Sequence, residues 1–431
     1  MSVHDQLLSV ILSRVISFIV IFLFSIVISD DQPKPYDADT MAPVILVPGV
    51  GGTQLDGKWH THHEPESCFS RSFGWDLLWL DWRMGANPFK VDCYVYRLSL
   101  LYNRTTHRCS NQEGVRTRVP GKFGNVKPVI YLTNDPLTHK ATGYYHVVVK
   151  RLQKLGYSKD TSIYGFGYDW RYGPTQIEEW GLFDQLAALV ERIANSNKRK
   201  VTIISHSMGG LMMAYFLRKR PQAWKDKYIN SWIPISTPWL GSPNTLEVEF
   251  RGNNFGISTV SRKLMKKLGR TFQSGAFLLP AEDAYKDTVL LEWTTKNKNY
   301  TSADYKELFQ DANLEDVYLM REDLRSLFPV PLDKIGVKIH CIYSKGVPKE
   351  NLTVKKYIMR GKTLDSMKHS TIVYDDGDSA VPMKSLEYCT IFKSSNIDYK
   401  RFDGPFHTYI LTDDNALNYL MTLLKNASSL Q

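Results

Sequence analysis

The stretch Val201-Thr202-Ile203-Ile204-Ser205-His206-Ser207-Met208-Gly209-Gly210 constrains this chain more than any other. Val201 to Ile204 is a short β-branched run, suited to a buried central strand. From Met208 to Arg220 the pattern turns helical, with Leu211, Tyr215, Phe216 and Leu217 as an apolar stripe. Between them lies Ser-x-Ser-x-Gly, a form of the nucleophile elbow, in which a serine on a strained turn holds its oxygen clear of the sheet. The next residue then offers its backbone N–H to an oxyanion, aided by the helix dipole. Ser205 stands where the pattern ordinarily has glycine, which weakens the motif without abolishing it. The competing reading is an ordinary strand–turn–helix with a chance serine, and the rest of the chain has to decide between them.

A serine alone is a poor nucleophile, so a base and an orienting acid must follow in the order Ser, acid, His. His407 is the one histidine beyond the last strand expected, near Ile397–Phe402, and it precedes the final helix. His340 falls inside an apolar strand and reads as a core residue, His369 comes too early, and His206 is locked beside the elbow. Ile372 to Pro382 offers Asp375, Asp376 and Asp378 around a glycine turn. Asp378 suits the mouth of the site best, Asp376 is the alternative, and spacing does not separate them. A calcium loop would need a Glu at the EF-hand distance, and none follows. The apolar strand Val44–Val47 runs into Pro48-Gly49-Val50-Gly51-Gly52. This turn suits a second oxyanion donor, so the backbone N–H groups of Val50 and Met208 are the expected pair. Neither Lys-Ser/Thr nor a GxGxxG register follows these glycines, which sets aside a phosphate cradle.

The elements alternate as β–α–β–α–β–elbow–α, with Tyr144–Leu155 and Ile177–Asn195 as helices, which is the doubly wound α/β pattern. The fold expected is an α/β hydrolase with a cap and lid insertion and a small disulfide-closed membrane-binding subdomain. Its divisions are a signal peptide over 1–29, a linker over 30–41, the start of the core over 42–58 and a membrane-binding excursion over 59–100. The core with its elbow continues over 101–239, a cap and lid occupy 240–335, and 336–431 completes the core with the acid and the base.

The excursion is dense in apolar residues, with Trp75, Leu77, Leu78, Trp79, Leu80 and Trp82 at its centre. Such a surface suits a lipid interface, and a satellite hydrophobic cluster is the alternative. The formal net charge is +10 without a dense Lys/Arg tract, which favours an anionic phospholipid surface over nucleic acid. The histidines His60, His62 and His63 sit in a polar loop without metal-site geometry. No metal and no cofactor are expected. Arg14 before the apolar run Val15–Ser29 reads as a secretory signal. The sequons at Asn103, Asn299, Asn351 and Asn426 agree with a secretory route, ending in the lysosome or outside the cell. Of the five cysteines, local loop closure favours Cys68–Cys93 and Cys341–Cys389, leaving Cys109 over.

From Ala42 to the last helix the chain resembles the lecithin:cholesterol acyltransferase family, most closely its lysosomal phospholipase A2 (group XV, ceramide transacylase) branch. The pieces that carry the likeness are Val44–Gly49, Tyr168-Asp169-Trp170-Arg171, His206-Ser207-Met208-Gly209, Pro221–Ile229, Pro238-Trp239, Asp376-Gly377-Asp378 and His407. The resemblance implies Ser207, Asp378 and His407 as the triad, Val50 and Met208 as oxyanion donors, both disulfides, and a lid near 251–270. It also implies a serine-dependent phospholipase A and O-acyltransferase that passes a fatty acyl group from a glycerophospholipid to water or a lipid alcohol such as ceramide. A sterol acyltransferase, a neutral-lipid lipase and a non-catalytic lipid carrier are the alternatives. Position 50 is a departure: valine stands where the lysosomal enzyme has an acidic residue and the plasma enzyme a cysteine.

Overall fold

Six parallel strands form the central sheet: β1 (Val44–Val47), β2 (Ile163–Gly165), β3 (Val201–His206), β4 (Ile229–Ile235), β5 (Ile339–Gly346) and β6 (Ile397–Gly404). Their spatial order is β6-β5-β4-β3-β1-β2. The computed structural model describes residues 37, 40–60, 68, 72–81, 83, 87, 89–252, 261–346, 353–363 and 370–425. β1 and β3 are buried at every position, as befits strands covered by helices on both faces. Two hydrophobic clusters cover the sheet. On one face lie the elbow helix Met208–Arg218 and the helix Leu182–Asn197; on the other lie His146–Lys154 and Asp414–Leu423.

The strands start and stop close to where the periodicity predicts. β3 continues two residues past the β-branched run, through Ser205 and His206. The Ser205 hydroxyl accepts from the Trp232 indole N–H at 2.9 Å, so a side chain in the first place of the elbow motif is bonded rather than merely tolerated.

The cap is less self-contained than a 240–335 insertion. Its four-stranded sheet joins Lys298–Tyr300 and Leu291–Trp293 to Thr353–Met359 and Thr371–Asp375, two strands from beyond residue 335. The expected lid falls partly outside the described residues. Its described flank is the basic helix Arg262–Gly269, whose Leu264, Met265 and Leu268 are buried.

Arg171 binds the excursion to the core. Its buried guanidinium pairs with Asp169 at 2.6 and 2.9 Å and donates to Leu98 O, Asn111 Oδ1 and Thr117 Oγ1. With so many acceptors around it, the charge is satisfied out of water.

The excursion itself requires two corrections. Cys68–Cys93 is a disulfide, as expected, but Cys341 and Cys389 are separate buried thiols that lie within hydrogen-bonding reach of each other. Leu78, Trp79 and Leu80 are core residues, not a membrane surface. Trp79 stacks at a tilt on Trp170 with centroids 4.8 Å apart, and its N–H has a buried acceptor. Trp75 and Leu77 keep partial exposure, and Trp82 lies outside the described residues. Among the described residues here the most exposed apolar side chains are Phe73 and Phe89, followed by Trp75, with Leu137 nearby in the turn Pro136–Thr138. Asn103 and Asn299 are exposed; Asn351 and Asn426 lie outside the described residues.

Candidate active site

Ser207 sits between β3 and the helix Met208–Arg218 with φ 56° and ψ −131°, a strained conformation for a residue with a Cβ. The crossing is tight. A Cβ on Gly209 would meet the Val47 carbonyl oxygen at 2.5 Å, and one on Gly49 would meet the Ser207 Cβ at 2.6 Å. Only glycine lets the β1 turn and the elbow approach this closely.

The turn after β1 is pinned from several sides. Tyr145 donates to Val47 O at 2.9 Å, Tyr168 donates to Pro48 O at 2.8 Å, and the Gly49 N–H donates to Tyr144 Oη at 2.9 Å. The Gly49 carbonyl accepts from the Gly52 N–H at 3.1 Å. In a trans peptide the N–H points opposite to the C=O, so fixing the Gly49 carbonyl also fixes the direction of the Val50 N–H. Among the described residues the Val50 N–H has no hydrogen-bond partner. Met208 is the first residue of its helix, so its N–H has no carbonyl within that helix to reach.

His407 follows β6 in the loop before the last helix. Its Nδ1–H donates to Asp378 Oδ2 at 2.7 Å, and its Nε2 accepts from the Ser207 hydroxyl at 2.9 Å. An ionised carboxylate can only accept, which assigns the proton to Nδ1 and the free lone pair to Nε2. Asp378 is fully buried, and its other oxygen accepts from the Ala380 and Val381 N–H groups at 3.1 and 2.7 Å. Those bonds give that oxygen its hydrogen-bond partners out of water. Asp376 turns outward instead and pairs with Lys345 at 2.7 Å. The Asp378 loop leaves the cap strand Thr371–Asp375 and is tied to the end of β5 by the Gly346 N–H, which donates to Gly377 O at 2.9 Å.

The structure thus brings Ser207, Asp378 and His407 together, with the turn after β1 packed against the elbow through Gly49. Such an array can deprotonate a hydroxyl, attack an ester carbonyl and hold the resulting oxyanion. Among the described residues no group of three or more His, Cys, Asp or Glu side chains is arranged to hold a metal ion. His340 is only partly buried and lies 3.4 Å from Asp398 on β6.

His206 also belongs to the site, although its sequence position gave it no role. It is buried, its Nδ1 lies 2.5 Å from Tyr144 Oη, and its Nε2 lies 2.9 Å from the His407 carbonyl oxygen. Burial, and then the nearby His407 charge, hold its pKa well below the usual histidine range. Tyr144 and Tyr145 lie in none of the pieces that carry the family likeness; Tyr168 and His206 lie in two of them, without a role being assigned. An ionisable residue inside an otherwise apolar strand, beside the nucleophile, is the signal that could have singled out His206.

The sequence profile described as Lecithin:cholesterol acyltransferase matches residues 73–328. Human phosphatidylcholine-sterol acyltransferase is 34% identical over 400 residues, 91% of this chain and 84% of that protein. The chain belongs to the lecithin:cholesterol acyltransferase family. The chicken phosphatidylcholine-sterol acyltransferase is likewise 34% identical, over 362 residues and 83% of each chain. The bovine lysosomal phospholipase A and acyltransferase is 31% identical over 410 residues, 93% of this chain and 95% of that one. The family therefore includes relatives of both kinds at similar distance, and both are acyltransferases by name.

Proposed function

We propose that this protein is a serine-dependent phospholipase A and O-acyltransferase that works at a phospholipid surface. The observation that carries the reading is the bonded series Ser207–His407–Asp378, at 2.9 and 2.7 Å, in a chain of this family. Ser207 attacks the acyl ester carbonyl as His407 Nε2 takes its proton, and Asp378 balances the imidazolium. The Val50 and Met208 amides hold the oxyanion, each supplying roughly 3 kcal/mol of barrier lowering. The lysophospholipid leaves with the proton from His407, and the acyl group stays on Ser207. Water, or a lipid alcohol such as ceramide, then gives its proton to His407 and takes the acyl group.

The basic helix Arg262–Gly269 and the exposed Phe73 and Phe89 support docking on an anionic bilayer. Among the described residues no helix is long and apolar enough to cross a membrane. A secretory route to the lysosome or the exterior fits the sequons and the Cys68–Cys93 disulfide.

The test is acyl release and acylceramide formation on anionic phospholipid vesicles containing ceramide, at pH 4.5 and 7.4, with Ser207→Ala alongside. Ser207-dependent release is expected. Vesicle binding without acyl release at either pH would sink the phospholipid reading, and transfer to sterol in place of ceramide would reassign the acceptor.

A further inference from the structure

The hydrogen bonds around His206 run in one direction. The Gly49 N–H donates to Tyr144 Oη, so the tyrosine proton is available to another acceptor. The His407 carbonyl can only accept, so the His206 Nε2 facing it at 2.9 Å carries the proton. That leaves His206 Nδ1 as an acceptor, and Tyr144 donates to it at 2.5 Å. The chain is therefore Gly49 N–H to Tyr144, Tyr144 to His206 Nδ1, and His206 Nε2–H to His407 O. On its other side the His407 N–H donates to Asp378 O at 2.7 Å. Both polar groups of the His407 backbone are thus held, one by the acid's loop and the other by the residue that precedes the nucleophile.

We propose that Tyr144 and His206 are positioning residues that clamp the backbone of His407 to the oxyanion turn. The imidazole ring and the Val50 N–H are thereby kept in register around Ser207. Neither residue touches the reacting atoms. Their effect is geometric, and geometry at this site is worth a great deal: a displacement of about 1 Å in a reacting group costs on the order of 100-fold in rate. The clamp works only while His206 is neutral, because a doubly protonated ring cannot accept from Tyr144. Burial opposes its protonation. The Tyr144 and His206 rings meet edge to face with centroids 5.5 Å apart, and His206 lies 4.8 Å from the His407 ring. Little space remains for either ring to turn.

This inference rests on the Ser207–His407–Asp378 reading but not on the lipid class. Its test therefore uses p-nitrophenyl butyrate, together with the rate at which a fluorophosphonate labels Ser207. Three variants of the full chain divide the possibilities. Tyr144→Phe keeps the ring and removes both of its bonds. His206→Asn ends short and leaves the His407 carbonyl unpaired, whereas His206→Gln places an amide N–H near the Nε2 position.

The expected result for Tyr144→Phe and His206→Asn is a fall in kcat of about 10- to 100-fold, with KM within about threefold of the parent. Ser207 labelling should slow in parallel. His206→Gln should recover most of the loss. If His206→Asn does not fold, Tyr144→Phe decides alone. Parental kcat in Tyr144→Phe, or His206→Gln falling as far as a folded His206→Asn, overturns the clamp. A parent enzyme that cleaves the butyrate and labels at Ser207, yet leaves phospholipid vesicles untouched, overturns only the lipid reading.

Discussion

The indole N–H of Trp79 donates to the carbonyl oxygen of Gly51 at 2.8 Å, which bonds the disulfide-closed excursion to the turn carrying the Val50 N–H. The excursion and the turn after β1 are thus joined directly through this buried bond. Trp79→Phe leaves a buried carbonyl without its donor, an expected loss of roughly 1–3 kcal/mol of stability. It should also lower kcat on a soluble ester, because the turn loses one of its fixings. Thermal melts and ester kinetics read the two effects. Full stability together with full turnover would show that the bond does not matter.

Asp378 and Asp376 make opposite predictions although they are two residues apart. Asp378→Asn removes the carboxylate that fixes the His407 tautomer and should lower kcat by about 10⁴-fold. Asp376→Asn removes only a solvent-facing pair with Lys345, worth roughly 0–1 kcal/mol, and should leave turnover intact. Equal losses in the two variants would place the acid wrongly.

Phe73 and Phe89 should matter for lipid and not for chemistry. Both are largely exposed, at 103% and 81%. Transfer of one such side chain from water to an apolar phase is worth roughly 1.5–3 kcal/mol. Phe73→Asp with Phe89→Asp should therefore reduce vesicle binding at least about tenfold while p-nitrophenyl butyrate turnover is kept. Cosedimentation with vesicles measures the first and absorbance kinetics the second.

Glu249 in the cap gives a pH dependence of definite sign. It is fully buried, and among the described residues neither carboxyl oxygen has a hydrogen-bond partner. Burial pushes its pKa up from 4.5 to about 8, against the pull of Arg270. The folded state keeps a proton that the unfolded chain releases. Stability from this group is therefore complete below about pH 4.5 and is lost as pH rises through about 8. His206 runs the other way. Its depressed value gives stability that is present above pH 6.5 and lost as pH falls. Glu249→Gln should raise the melting temperature at pH 7.4 and change it little at pH 4.5. A larger gain in acid would contradict the assignment.

Local patterns carried the strand–elbow–helix, the base and the general architecture, because each depends on residues adjacent in the chain. What spacing left open or misread depends on distant ones. Asp378 is the acid expected, on the family resemblance, but spacing alone leaves Asp376 open because the two share one turn, whose closure against Pro382 and β5 decides which carboxyl goes inside. Leu78, Trp79 and Leu80 read as a membrane face because apolar residues on a core and on a lipid surface look alike in sequence. The burial of Trp79 is set by Trp170, 91 residues further on. His206 finds its partners 62 and 201 positions away. The expected Cys341–Cys389 bridge is a pair of neighbouring thiols. Loop closure brought the right cysteines together without deciding whether they are joined.

In the proposed mechanism Val50 contributes only a peptide group, while its side chain, partly buried, packs against the hydrophobic core. Chemistry delegated to the backbone is indifferent to the identity of the residue that carries it. Position 50 is therefore a place where polarity and bulk beside the reacting ester can be changed without rebuilding the catalytic apparatus. For anyone seeking to alter acceptor choice or working pH, it is an inexpensive residue to vary.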